Sequence, residues 1–253
     1  MTPGATHAQQ FAKDGFCLFS NVLDAEFCGQ IAHDVISEYD RLVSAGWKFA
    51  AGGRYTGHLN FSPGLYGQEL LDMLDSKGFL KIAEAVLGGP VALFGVVGNM
   101  NLPQSVAQDI HQDWAPPGES MVFNIGLVPT TRENGPTEIV PGSQGSRFTY
   151  TSLHLSGTRR KSLFWEPAAG DLIMRLGSVW HRGTENRSAN PRPMLSVIVV
   201  PRDGEQAPPP KIPVSDRITF SANRFYGRAA RARELASIYL AWPMHWLRLA
   251  RGR

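Results

Sequence analysis

The stretch "GDLIMRLGSVWHRGTENRSANPRPMLSVIVV", residues 170–200, holds two apolar runs, "DLIMRL" and "MLSVIVV", on either side of a polar, turn-rich loop. Each run has the length and the apolar, partly β-branched make-up of a buried strand, and the pair reads as two neighbouring antiparallel strands. Working outward, the same texture recurs from Pro90: "PVALFGVVGNMNL", "ESMVFNIGLVP", "TEIVPGS" and "KSLFWEP". Turn clusters such as "APPGE", "ENGP" and "EPAAGD" separate these runs. Many short strands at such spacing predict a mainly β fold, an antiparallel sandwich or jelly roll rather than a parallel α/β sheet.

Helices flank this core. "LDAEFCGQIAHDVISEYDRLVSAG" opens at an Asp24 cap, spaces Phe27, Ile31, Val35, Tyr39 and Leu42 by three and four, and stops at Gly46. "GQELLDMLDSKGFLKIAEAVLGG" predicts a second helical region, broken at Gly78 and closed by Gly88 and Gly89. Between them "AAGGRYTGHLNFSPGLYG", residues 50–67, reads as a polar loop in which Arg54, Tyr55 and His58 could form a lid. Beyond the proline-rich "DGEQAPPPK" the chain reads as helical again. The expected organisation is a single domain over 1–253: a helical N-terminal region over 1–89, a jelly-roll core at about 90–201, and a basic helical extension over 217–253.

Hydrophobic residues at 43% and charged residues at 19% describe a globular chain with ample core material. No apolar run approaches a membrane span, and the N-terminus lacks the pattern of a secretory signal. Cys17 and Cys28 sit in apolar surroundings and read as reduced core thiols of a cytoplasmic protein, which excludes a cysteine-based zinc site. The net charge of +3 divides unevenly: residues 217–253 carry eight arginines against Glu234, a net +7, leaving −4 for residues 1–216. Without aromatics interleaved on a nucleic-acid motif, this tail is no argument for nucleic-acid binding.

The chemistry begins at "AQDIHQDWAPPG", residues 107–118, where His111 and Asp113 would share one face of a strand over 108–114. A metal site on this pair needs a third ligand from a distant strand, and His181 qualifies because it follows "DLIMRL" at a strand end. Two histidines and a carboxylate suit non-haem Fe(II), with positions left open; the same set would also hold zinc. Arg192, in "NPRPML", lies at the mouth of the next strand, where its fork would suit the far carboxylate of a small dicarboxylate.

In this order, His111-x-Asp113, "ENGPTEIVPGSQ", "GDLIMRLGSVWHRGTENRS" and Arg192, with "FAKDGFCLFSNVLDAEFCGQI" at the start, the chain resembles the phytanoyl-CoA hydroxylase-like family of Fe(II)/2-oxoglutarate dioxygenases over roughly residues 10–200. The resemblance implies a double-stranded β-helix of cupin-like type. It implies Fe(II) on His111, Asp113 and His181, Arg192 on the distal carboxylate of 2-oxoglutarate, and O2 as co-reactant. The chain departs from the family at Gln144, commonly histidine there, and at Gly183, often serine, which leaves one hydrogen bond to the cosubstrate to be supplied otherwise. Asn99 and Asn101 are candidates for it, and Thr137 could face the cosubstrate. A carboxylate at Asp113, where related halogenases carry a small residue, speaks against halogenation. Trp114, Trp180 and His154 are read as outside the site.

The expected activity is oxidation of a C–H bond of a small polar molecule, glycosylated or phosphorylated, by hydroxylation, desaturation or oxidative cyclisation as in natural-product or sugar tailoring, with release of succinate and CO2. The rivals are a zinc hydrolase on the same ligands and a non-enzymatic sheet protein that binds an anionic partner through its basic tail.

Overall fold

The computed structural model describes residues 3–47, 57–108, 110–113, 119–145, 153, 161–202, 210–211 and 214–221. The helices are α1 (Pro3–Asp14), α2 (Ala25–Ser44), α3 (Tyr66–Ser76) and α4 (Phe79–Leu87). The strands are β1 (Phe16–Phe19), β2 (His58–Pro63), β3 (Val91–Asn101), β4 (Met121–Gly126) and β5 (Thr137–Ile139). They continue with β6 (Leu163–Trp165), β7 (Leu172–Leu176), β8 (His181–Gly183), β9 (Arg192–Pro201) and β10 (Ile218–Ser221). All pairings are antiparallel: a seven-stranded sheet in the order β1-β7-β4-β9-β3-β2-β10 and a three-stranded sheet in the order β6-β5-β8. This is the mainly β, jelly-roll fold with flanking helices that the strand texture predicts.

Alternation along the strands divides the large sheet into two faces. Phe123 and Ile125 of β4, Leu172 and Met174 of β7, and Leu195, Val197 and Val199 of β9 join one buried cluster with Ile31 and Val35 of α2 and Leu70 and Leu74 of α3. Each such side chain contributes about 1.5–3 kcal/mol by leaving water. The intervening residues, Val122 and Asn124, Arg175, Ser196 and Ile198, face the other way and line a cavity. A smaller cluster, in which Phe16 and Ile173 meet Ile139 and Trp165, joins the two sheets.

Local signals hold where they are strong. Asp24 caps α2 by accepting from the backbone N–H of Glu26 and Phe27 at 2.8 and 3.1 Å. Gly78 and Gly88, at φ 79° and 82°, bound α4. Cys17 and Cys28 are buried free thiols, both pushed up to about 11 by burial, with Asp14 and Asp24 respectively adding to it.

Three expectations are corrected. The polar stretch 50–67 contains β2, with Leu59 and Phe61 in the main core; its polar alternates His58 and Asn60 face the cavity, which made the run look like a loop. Residues 110–113 do not form a regular strand; His111 makes a single bridge to His181, each N–H donating to the other's carbonyl at 2.9 Å. The segment after Arg217 starts as β10 against β2 rather than as a helix. Arg54, Tyr55, Trp114, His154 and the arginine-rich stretch from residue 222 lie outside the described residues. No helix among the described residues is long and apolar enough to cross a membrane.

Candidate active site

The cavity between the two sheets has a volume of about 560 Å³, and His111, Asp113 and His181 share its wall. Their backbone is fixed by the bridge to β8 and by the Asp113 N–H, which donates to Gly177 O at 3.0 Å. One ligand atom from each of the three lies within 4.8 Å of the others. The carboxylate divides its oxygens: Oδ1 lies 3.6 Å from His111 Nε2, and Oδ2 lies 3.5 Å from His181 Nε2.

The donor set fits a divalent metal on more than proximity. His181 Nδ1 lies 2.9 Å from Val179 O, a group that can only accept, so Nδ1 carries the proton and Nε2 turns its lone pair to the cavity. Burial, followed by the nearby Arg175 guanidinium, lowers the His181 pKa from 6.5 to about 3, so the ring stays neutral. For Asp113, burial alone would raise the pKa. Arg175, His181 and His111 outweigh it and hold the carboxyl well below its usual range.

Arg192 enters the cavity from the first position of β9. It is 3% exposed; its Nη2 donates to Gly135 O at 2.7 Å, while Nε has no partner among the described residues. Burial pulls its pKa down from 12.5 to about 10. No carboxylate accompanies it among the described residues, so a buried guanidinium with a donor to spare fits an incoming carboxylate.

The other expected residues divide. Thr137 and Asn99 line the cavity, and Asn99 Nδ2 donates to Asn60 Oδ1 at 3.0 Å. Asn101 does not reach it: fully buried, it donates to Thr184 O at 2.9 Å and accepts from the Ser105 hydroxyl. Its place at the end of β3 turns its side chain into the turn network around Gly135. Gln144 ties down the end of α1, its Nε2 donating to Ala12 O at 3.0 Å. Trp180 packs with Ile110, Val140 and Leu153, away from the cavity.

Sequence reasoning missed Arg175 and Gln108, and gave His58 to a lid where the structure buries it in the cavity wall. Arg175 interrupts the apolar "DLIMRL", and its Nη2 donates to Asp113 Oδ2 while Nε donates to Asn124 Oδ1 at 2.9 Å. An arginine inside an otherwise apolar strand was the available signal, because burial of its charge requires a partner. His58 and Gln108 crowd Gly183: a Cβ added there would lie 2.8 Å from His58 Cε1 and 3.0 Å from Gln108 Oε1. The space that a serine at 183 would fill is therefore occupied by residues from elsewhere. No local pattern announced that.

The family profile described as phytanoyl-CoA dioxygenase (PhyH) matches residues 11–194. A curated relative, dioxygenase trt7 of Aspergillus terreus (strain NIH 2624 / FGSC A1156), is 29% identical over 111 residues, 40% of this chain. The matched stretch is 37% of that protein's length, just over a third. Among solved structures, AviO1 from Streptomyces viridochromogenes Tue57 superposes with a TM-score of 0.61 at 19% identity, over 82% of this chain and 99% of its own. The epimerase SnoN, solved with Fe3+, alpha-ketoglutarate and nogalamycin RO, gives 0.60 at 18% identity, over 86% and 98%. At these identities the structures speak for the fold, while the profile covers well over half of the chain. The chain belongs to the phytanoyl-CoA dioxygenase family.

Proposed function

We propose that the protein oxidises a C–H bond of a small polar molecule of the natural-product or sugar type, with 2-oxoglutarate converted to succinate and CO2. In this reading His111, Asp113 and His181 hold the iron, and Arg192 binds the far carboxylate of 2-oxoglutarate. The observation that carries it is the convergence, in one cavity, of three metal-competent side chains and a buried guanidinium without an acid partner among the described residues. Bound iron supplies the oxidising chemistry. The chain's own role is to present neutral His181 Nε2 and an ionised Asp113, to anchor the cosubstrate, and to keep water from the reacting bond. Thr137 and Asn99 stand on the same wall as further contacts for the cosubstrate.

The carboxylate at position 113 supports oxygenation over halogenation, because it occupies the place a halide would need. Hydroxylation, desaturation and ring closure all begin with removal of one hydrogen, and the epimerase likeness fits a tailoring role among them. The two buried thiols fit a reducing compartment, which favours a cytoplasmic enzyme. The ligand set by itself left zinc open; family membership decides for iron.

Anaerobic addition of Fe(II) and then 2-oxoglutarate should produce a weak visible charge-transfer band, and Asp113→Ala should abolish both the band and succinate release. Succinate formation undiminished in Asp113→Ala would overturn the assignment of the ligands.

A further inference from the structure

Besides Arg192 Nε, two further donors on the cavity wall have no partner among the described residues: Arg175 Nη1 and Ser120 Oγ. Their residues are 3% and 0% exposed, so bulk water does not satisfy either. Both line the cavity of His111, Asp113 and His181. The register sets them side by side: Arg175 pairs with Val122, and Ser120 lies two residues from Val122, on the same face. Arg192 belongs to a different row. Val122 pairs with Ile198, six residues beyond Arg192 on β9, so the backbone rows of the two arginines lie about 20 Å apart along the strands.

The charges point the same way. Among the described residues, the carboxylate and guanidinium groups on the cavity wall are Asp113, Arg175 and Arg192, a surplus of one positive charge. Fe(II) and the 2-oxoglutarate dianion carry equal and opposite charges, so loading both leaves the surplus in place. A buried positive charge left without compensation is costly, and a second anion would offset it.

We infer that Arg175 and Ser120 form a subsite for an oxyanion of the primary substrate, a carboxylate or an ionised enol or phenol, distinct from the cosubstrate anchor at Arg192. This rests on the proposal that 2-oxoglutarate occupies the Arg192 end. In the subsite Arg175 keeps Nη2 on Asp113 and Nε on Asn124, and turns Nη1 to the ligand. The Ser120 hydroxyl donates beside it. A substrate anchored there is held next to Asp113, which places its reacting carbon close to the metal.

The test uses full-length protein loaded with Mn(II) and saturating 2-oxoglutarate, titrated calorimetrically with benzoate and salicylate and with their neutral amides, benzamide and salicylamide. At least one acid should bind about tenfold or more tightly than its amide. Arg175→Gln should bring that ratio near one, Ser120→Ala should lower it several-fold, and Arg175→Lys should keep most of it. General damage to the site weakens acid and amide alike and leaves the ratio standing, so the ratio reports the charge contact. Equal binding of acid and amide, no binding of either pair, or a ratio untouched by Arg175→Gln would overturn the subsite. The preceding titration with 2-oxoglutarate separates the two proposals: if it binds and the anions fail, only the subsite falls, and if it does not bind, the Arg192 reading falls and the subsite with it.

Discussion

At His58 the ring is 2% exposed, its Nε2 lies 2.9 Å from Val106 O, and burial lowers its pKa from 6.5 to about 4. Between these values the unfolded chain binds a proton that the folded protein refuses, so folding stability falls as pH drops through that window. Metal-free protein should lose stability from pH 6.5 towards 4, and His58→Gln should flatten some of that slope; urea midpoints across the range provide the check. The same ring sets the residue at 183. Gly183→Ser puts a Cβ 2.8 Å from His58 Cε1 and should cost about 1–3 kcal/mol by overpacking. Adding His58→Ala should recover some of that loss, since the clashing atoms are gone. A double-mutant cycle in chemical denaturation would show a coupling; strict additivity would mean that the two side chains do not compete for the space.

Among the elements, the turn before β5 carries more than its sequence announces. "ENGP" reads as a cavity-rim turn, but Gly135 stands at φ 90°, and a Cβ there would lie 2.3 Å from Asn101 Nδ2 and 2.9 Å from Thr184 O. Its carbonyl also holds Arg192. Gly135→Ala should therefore destabilise the protein by about 1–3 kcal/mol. It should also raise the 2-oxoglutarate Kd several-fold, read by anaerobic titration; an unchanged Kd would show that Arg192 does not need this carbonyl. Elements with one apolar side and a strong terminus were legible in the sequence: α2 from its Asp24 cap and its three-and-four spacing, and β9 from "MLSVIVV". β2 was not, because its polar residues turn inward to a cavity instead of outward to water. The segment at His111 reads as a strand, yet its extension comes from a bridge to a residue seventy positions on.

For the molecule as a whole, the two faces of the large sheet separate stability from chemistry. The main core lies between that sheet and the helices, whereas the metal-competent residues face the opposite cavity. Removing metal with a chelator should leave far-UV circular dichroism unchanged and lower the unfolding free energy by only the binding contribution, about 2.7 kcal/mol when metal stands at a hundred times its Kd. Collapse of the spectrum would mean that the metal also holds the sheets together. The sequence by itself determined the jelly-roll texture and the capped helices and marked His111, Asp113, His181 and Arg192 as the candidates, because periodicity, caps and residue chemistry act over short stretches. Only the tertiary structure decided that Asn101 is spent on the turn network, that His58 fills the space beside Gly183, and that Arg175 sits on Asp113 with a donor to spare. Those outcomes depend on which strands lie side by side, and burial and pairing of charge are properties of that arrangement rather than of any one segment.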